Sequence, residues 1–148
     1  QVFGKADGAF VRAWGSKGAG DGEFKAPTGV AVDAEHVYVA DDYNNRVQVF
    51  GKAADGAFVR AWGSVGAGDG EFDGPEGVAV DAEHVYVTDA GNQRVQVFAK
   101  AGGAFVRKWG SEGGGDGQMQ FPRVWASGFR FSSQKPVAGF WLTRTVTH

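Results

Sequence analysis

Apolar and polar residues alternate along this chain in short runs separated by turn-forming residues. Val37–Asp41 reads VYVAD, with Val37 and Val39 on one face and Tyr38 and Ala40 on the other. Arg46–Phe50 reads RVQVF, with Val47 and Val49 facing one way and Arg46, Gln48 and Phe50 the other. A period of two predicts strands, whereas a helix needs apolar positions three and four apart over a longer stretch. Gly29–Asp33 (GVAVD) is a continuous apolar run too short for a helix, and Ala57–Trp62 (AFVRAW) supplies a fourth strand. The connections are Ala34–Glu35, Asp42–Asn45 and Gly51–Gly56. Their Asp, Asn and Gly residues bond their own backbone or tolerate left-handed φ, as turns require. Four short strands joined this way predict an antiparallel β-meander.

The unit returns. Residues 27–50 (PTGVAVDAEHVYVADDYNNRVQVF) recur at 75–98 (PEGVAVDAEHVYVTDAGNQRVQVF) with five substitutions, displaced by 48 residues. The connecting segment occurs three times, as AFVRAWGSKGAGDGEF (9–24), AFVRAWGSVGAGDGEF (57–72) and AFVRKWGSEGGGDGQM (104–119). A repeat of this length, made of one meander, is the signature of a radial array of four-stranded sheets.

These residues resemble the NHL repeat. Its run of Pro, Gly-Val-Ala-Val-Asp, Val-Tyr-Val-Ala-Asp, Asn-x-Arg-Val-Gln-Val-Phe and a Gly-rich return is matched nearly letter for letter, over residues 1 to about 122. WD and Kelch repeats fit less well: Gly-His and Trp-Asp are absent, and Gly102–Gly103 falls in a turn. The resemblance implies an all-β propeller in which GVAVD lines the channel and AFVRAW is outermost. Residues 1–24 would then hold the outer strands of a partial blade, 25–72 and 73–119 a complete blade each, and 120–148 a diverged terminal blade. The last segment has no acidic residue and four basic ones, Arg123, Arg130, Lys135 and Arg144. A diverged blade and a shifted reading frame both account for it. With about three blades, the chain is expected to be either a piece of a longer propeller or half of a six-bladed ring closed by a homodimer, since closed propellers have about four to eight blades.

Composition narrows this little. Val, Phe, Trp and Tyr dominate the apolar set, while Met and Leu occur once each, which suits strands rather than a helical bundle. The formal net charge of −2 is not a polyanion-binding balance. No apolar run reaches membrane-spanning length. Having no cysteine, the chain has neither disulfides nor thiolate metal sites and fits a reducing or an oxidising compartment. Because it starts at Gln1, position 1 is expected to lie inside a longer reading frame, so the compartment stays open.

Each candidate site has a structural competitor. Asp41, Asn44 and Arg46, with Asp89, Asn92 and Arg94, repeat an Asp-x-x-Asn-x-Arg signature that could ring a polar ligand. A carboxylate and a guanidinium at strand ends can equally fix a turn and bridge to a neighbouring blade, and identical copying in each blade favours that role. His36 and His84 follow the same turn in each repeat, too far apart around a ring to share a metal. Asp33 and Asp81 could face an oxygen-seeking ion such as Ca²⁺ or cap that turn. Gly18-Ala-Gly20-Asp21-Gly22 imitates a phosphate loop but lacks the strand-before, helix-after context. Trp14, Trp62 and Trp109 suit packing between blades.

Function is better sought where the repeat breaks. Asp42–Tyr43 becomes Ala90–Gly91, Thr28 becomes Glu76, and one crossover position holds Lys17, Val65 and Glu112 in turn. The resemblance implies that the crossovers and the turns between second and third strands share one face. Variation on a fixed scaffold marks recognition, so these nine residues are the expected binding face. The expectation is a non-catalytic scaffold for a protein or peptide partner, with no cofactor. Nucleic acid is disfavoured because Asp21, Glu23, Asp42, Asp69, Glu71 and Asp116 lie near that face. The alternatives are a metal-dependent lyase or lactonase on a six-bladed ring and a structural array without a ligand.

Overall fold

Alternating β-branched and aromatic residues fit a pleated surface, and almost every run becomes a strand. The computed structural model describes residues 1–53 and 55–119, and the backbone of two short strands beyond them. The strands are β1 (Val2–Phe3), β2 (Phe10–Arg12), β3 (Ser16–Lys17), β4 (Glu23–Phe24), β5 (Pro27–Val32), β6 (His36–Asp41), β7 (Arg46–Gly51), β8 (Phe58–Trp62), β9 (Pro75–Val80), β10 (His84–Asp89), β11 (Arg94–Ala99), β12 (Phe105–Trp109), β13 (Arg123–Val124) and β14 (Phe131–Ser132). The choice between a diverged blade and a shifted frame for 120–148 lies outside the described residues, those two strands apart.

β5-β6-β7-β8 and β9-β10-β11-β12 are two four-stranded antiparallel sheets, each in chain order. Their central ladders share one register. His36 opposes Gly51 and Asp41 opposes Arg46 in the first, as His84 opposes Ala99 and Asp89 opposes Arg94 in the second. A single 3-10 turn, Asp42–Asn44, joins β6 to β7, and Asn45 after it takes a left-handed φ of 51°. Sequence reading treats the crossovers as plain connections, but each closes on itself by a short parallel pairing. Ser16 pairs with Glu23 and Lys17 with Phe24, and the pairing recurs as Val65 with Phe72 and Glu112 with Met119. The reversal needs a left-handed residue at one place, and Gly22, Gly70 and Gly117 supply it with φ of 78°, 82° and 75°.

Alternation in the middle strands does not separate inside from outside. Val47, Gln48, Val49 and Phe50 are all buried, because each face of the sheet meets a different neighbour. Tyr38, Ala40, Val47 and Val49 pack with Val78, Val85, Val87 and Phe98 of the second sheet. On the other face Phe50 meets Trp14 at 6.0 Å and Phe24 at 5.5 Å, from the segment that precedes the sheet. Trp62 and Phe72 repeat that arrangement around Phe98, each at 5.6 Å. Burying one such side chain contributes roughly 1.5–3 kcal/mol, against about 1 kcal/mol net for a ladder hydrogen bond. Packing between sheets therefore decides whether a blade holds its place.

The two sheets approach most closely at their first strands, β5 and β9. A Cβ at Gly29 would lie 2.4 Å from the Glu76 carbonyl oxygen and 2.9 Å from the Gly77 Cα, both backbone atoms that cannot turn aside. Gly29→Ala should force these strands apart and lower stability by about 1–3 kcal/mol. A lower urea midpoint with an unchanged slope would register it. Gly102→Ala is the control, because nothing lies within 4 Å of a Cβ there, and its midpoint should stay within error.

Candidate functional site

Asp41 closes β6 opposite Arg46, and its side chain is fully buried. A buried carboxylate must find donors for its lone pairs or lose its charge. Asp41 finds four. Its Oδ1 accepts the Lys25 amide N–H at 2.7 Å. Its Oδ2 accepts from Asn44 Nδ2 at 2.9 Å, Arg46 Nε at 2.9 Å and Gln48 Nε2 at 3.0 Å. The three donor side chains then reach the preceding crossover. Asn44 donates to the Gly18 carbonyl, Arg46 to those of Gly20 and Glu23, and Gln48 to that of Glu23, while the Gly22 amide donates to Gln48 Oε1.

The second sheet repeats the hub. Asp89 accepts from the Asp73 amide at 2.8 Å and from Asn92, Arg94 and Gln96. Asn92 bonds the Gly66 carbonyl, Arg94 those of Ala67, Gly68 and Glu71, and Gln96 that of Glu71. The signature residues Asp41, Asn44 and Arg46, and likewise Asp89, Asn92 and Arg94, thus come together with their polar atoms engaged by the chain itself. Sequence reading misses Gln48 and Gln96. Their signal is an amide held between valines in both copies, at a position that burial makes untenable without partners.

The opposite end of each sheet carries a smaller carboxylate knot. Asp33 Oδ1 accepts the amides of Glu35 at 2.8 Å and His36 at 2.7 Å. Its Oδ2 accepts the Tyr38 hydroxyl at 3.0 Å and lies 3.2 Å from Lys100 Nζ in the turn after β11. Asp81 holds the amides of Glu83 and His84 and the Tyr86 hydroxyl in the same way. Burial opposes ionisation of Asp33, but the two amides, the phenol and the ammonium outweigh it and hold the carboxyl well below the usual range. Asp81 is lowered too, against burial, by its amides, by Tyr86 and by the charge of His84. Burial and then the bond to Asp33 push the Tyr38 phenol up to about 12. His36 and His84 sit over these knots, Nδ1 at 3.8 and 3.7 Å from Asp33 and Asp81. Among the described residues, no three His, Asp or Glu side chains are grouped to hold a metal ion.

The residues that differ between repeats lie on the hub's end. The Tyr43 amide donates to the Lys25 carbonyl, Lys25 Nζ stands 5.9 Å from the Tyr43 ring, and Tyr43 is 65% exposed. In the second sheet Asp73 replaces Lys25, and a Cβ at Gly91 would lie 2.4 Å from the Asp73 carboxylate, so the tyrosine position becomes glycine. Val65 is 72% exposed on its crossover, with Lys17 and Glu112 exposed at the corresponding positions. Thr28 Oγ1 donates to the Pro75 carbonyl. Asp42 and Glu76 are half-buried; burial first, then the charges of Glu76, Asp73 and Asp41, raise the Asp42 carboxyl. Ala90 corrects the expected binding face. It is 6% exposed, its amide bonded to the Gly74 carbonyl, so it cannot meet a partner.

The family model for the NHL repeat matches residues 24–50 and 72–98. Each match opens on the end of a crossover and includes the whole hub. The chain belongs to the NHL-repeat family. A solved structure of a protein described as exported, from Bacteroides fragilis, is similar over 63% of this chain, with 22% identity and a TM-score of 0.52. That likeness supports the propeller-type blade fold, and the aligned part spans 26% of the other protein's length. No curated protein matches the NHL-repeat chain.

The knots at Asp33 and Asp81 make stability pH-dependent with a definite sign. Unfolded aspartate titrates near about 3.9, and the folded carboxyls titrate lower, so the unfolded state binds more protons in between. Their contribution is complete above that value and is lost as pH falls through the folded pKa. The urea midpoint should decline as pH drops from about 5 toward 3. Asp33→Asn with Asp81→Asn should start lower at neutral pH and decline less; an acid profile equal to wild type would contradict this origin.

Proposed function

We propose that this NHL-repeat chain is a non-catalytic scaffold that binds a protein or peptide through the face formed by its crossovers and β6–β7-type turns. The observation that carries this reading is a division of labour. The hub side chains copied in both sheets bond one another and the crossover backbone, whereas Lys17, Tyr43, Val65 and Glu112, which are not copied, stand exposed at the same end. An exposed tyrosine and valine offer apolar contact area, the usual source of binding energy at a protein interface. Asp42, Asp73 and Glu76 make the surroundings acidic. That charge repels phosphate backbones and favours a peptide with basic residues flanking an apolar one. The lyase or lactonase alternative requires polar groups converging on a substrate, and Asp33, Asp81 and both hubs are instead engaged by turns and crossovers.

Selection from a displayed peptide library against the immobilised chain tests the proposal. The binders should combine basic and apolar residues. Tyr43→Ala or Val65→Asp should weaken them about tenfold or more, and Val59→Asp on the outer strand β8 should leave them unchanged. Binders indifferent to both loop substitutions would refute this face as the recognition surface.

A further inference from the structure

Asp21–Gly22 and Asp69–Gly70 occupy equivalent places in two crossovers, each with its aspartate exposed and its glycine in the left-handed region. An Asp-Gly step is chemically labile. With no Cβ on the glycine, its amide nitrogen can approach the aspartyl Cγ. Once the N–H has lost its proton, the nitrogen bonds to Cγ and one carboxyl oxygen leaves as water, closing a five-membered imide. Water then adds back across either of the two carbonyl C–N bonds of the ring. Cleaving the new bond restores aspartate. Cleaving the old peptide bond leaves the chain running through Cγ, with the α-carboxylate free. No atom is gained or lost overall, but the main chain of isoaspartate is one carbon longer.

Ring closure needs a free glycine N–H, and in both crossovers that N–H is taken. The Gly22 amide donates to Gln48 Oε1 at 3.0 Å, and the Gly70 amide to Gln96 Oε1 at 2.9 Å. Neither acceptor can swing away. Both glutamines are fully buried, and each Nε2 is itself held. Gln48 donates to the Glu23 carbonyl at 2.6 Å and to Asp41 Oδ2 at 3.0 Å, and Gln96 to the Glu71 carbonyl at 2.6 Å and to Asp89 Oδ2 at 3.3 Å. Freeing the N–H therefore means lifting the crossover off the sheet, which breaks the hub. Two other Asp-Gly steps have only local acceptors. The Gly8 amide bonds the Gly4 carbonyl and the Gly56 amide that of Ala53, each within one turn.

We propose that Asp21 and Asp69 are latent modification sites, guarded by Gln48 and Gln96, that convert to isoaspartate only when a hub opens. A hydrogen-bonded amide proton is harder to lose, and a peptide plane pinned by that bond cannot turn onto Cγ. Conversion also prevents the hub from re-forming. An added main-chain carbon at Asp21 displaces the Glu23 carbonyl, which Arg46 and Gln48 both hold. A reversible opening of the crossover thereby becomes a permanent one. Asp69 has a second restraint, because Lys108 Nζ donates to its Oδ1 at 2.5 Å. Ala61 stands at the position equivalent to Lys108, so Asp21 depends on Gln48.

Ageing the full chain at neutral pH, then mapping its peptides by electron-transfer fragmentation, tests the proposal, because that method separates isoaspartate from aspartate. Isoaspartate at Asp21 and Asp69 should form about tenfold or more slowly in the native chain than in the urea-unfolded one. Gln48→Met keeps the side chain's length and removes the acceptor. With its circular dichroism unchanged, it should convert Asp21 about fivefold faster or more, while Asp69 and Asp55 keep wild-type rates. Gln96→Met should accelerate Asp69 and spare Asp21. If these variants lose their spectrum, the wild-type chain in sub-denaturing urea replaces them, and conversion of Asp21 should rise in step with hydrogen exchange of the Gly22 amide. Four results would each overturn the proposal: Asp21 converting as fast in the native chain as in the unfolded one, no acceleration in a folded Gln48→Met variant, equal acceleration at Asp21 and Asp69 in that variant, or conversion that does not follow Gly22 exchange.

Discussion

A buried carboxylate at the end of the second strand holds this molecule's parts in register. Asp41 and Asp89 each gather an amide N–H from the incoming chain, one side-chain donor from the turn that follows and two from the next strand. The same donors hold the carbonyls of the crossover that arrives from the preceding unit. One ionised group therefore fixes a turn, a ladder end and a connection between blades. Charge-assisted bonds of this kind are shorter and stronger than neutral ones, and the network works because its members are satisfied together. Removing the carboxylate would take the shared acceptor from a guanidinium and two amides at once, the fully buried Gln48 or Gln96 amide among them.

The hub supplies orientation, and apolar packing supplies most of the energy. Phe24 and Phe72 follow directly on the crossovers that the hubs grip, and each ring packs on the phenylalanine of the next sheet, Phe50 or Phe98. Pinning the crossover thus delivers an aromatic ring to the gap between units. The inner strands close the other side, where Gly29 admits the β9 backbone at a distance no side chain would allow. Polar network and aromatic layer depend on one another, because misplacing the crossover would lose both. The residues left over are those the scaffold does not use, and the binding face is proposed there.

Strands, their order within a sheet and the family were legible in the sequence, because alternation, turn residues and a nearly unchanged repeat all point the same way. Burial was less legible. VYVAD and RVQVF predict two faces, but nothing local says that both are covered, since the cover comes from sequence a full repeat away. Gln48 and Gln96 were missed for the same reason: their partners are carbonyls of Glu23 and Glu71, across a crossover of the preceding unit. The parallel pairing inside the crossovers was hidden by its glycines, which read as loop. Among the variable positions, exposure at Tyr43 and Val65 matches their place in turns, whereas Ala90 is a turn residue that the Gly74 carbonyl draws inward.

Native-state hydrogen exchange at the amides of Lys25 and Asp73 tests the central claim most directly. These two groups lie in irregular chain just after the crossovers, and each donates to a hub carboxylate. If the hubs bind crossover to sheet as one cooperative unit, both amides should open with the same free energy as those of Tyr38, Val47, Tyr86 and Val95 in the central strands. Exchange at the near-zero opening free energy of a surface loop would show that the crossovers move independently of the sheets, and the hub would not be what holds the blades together.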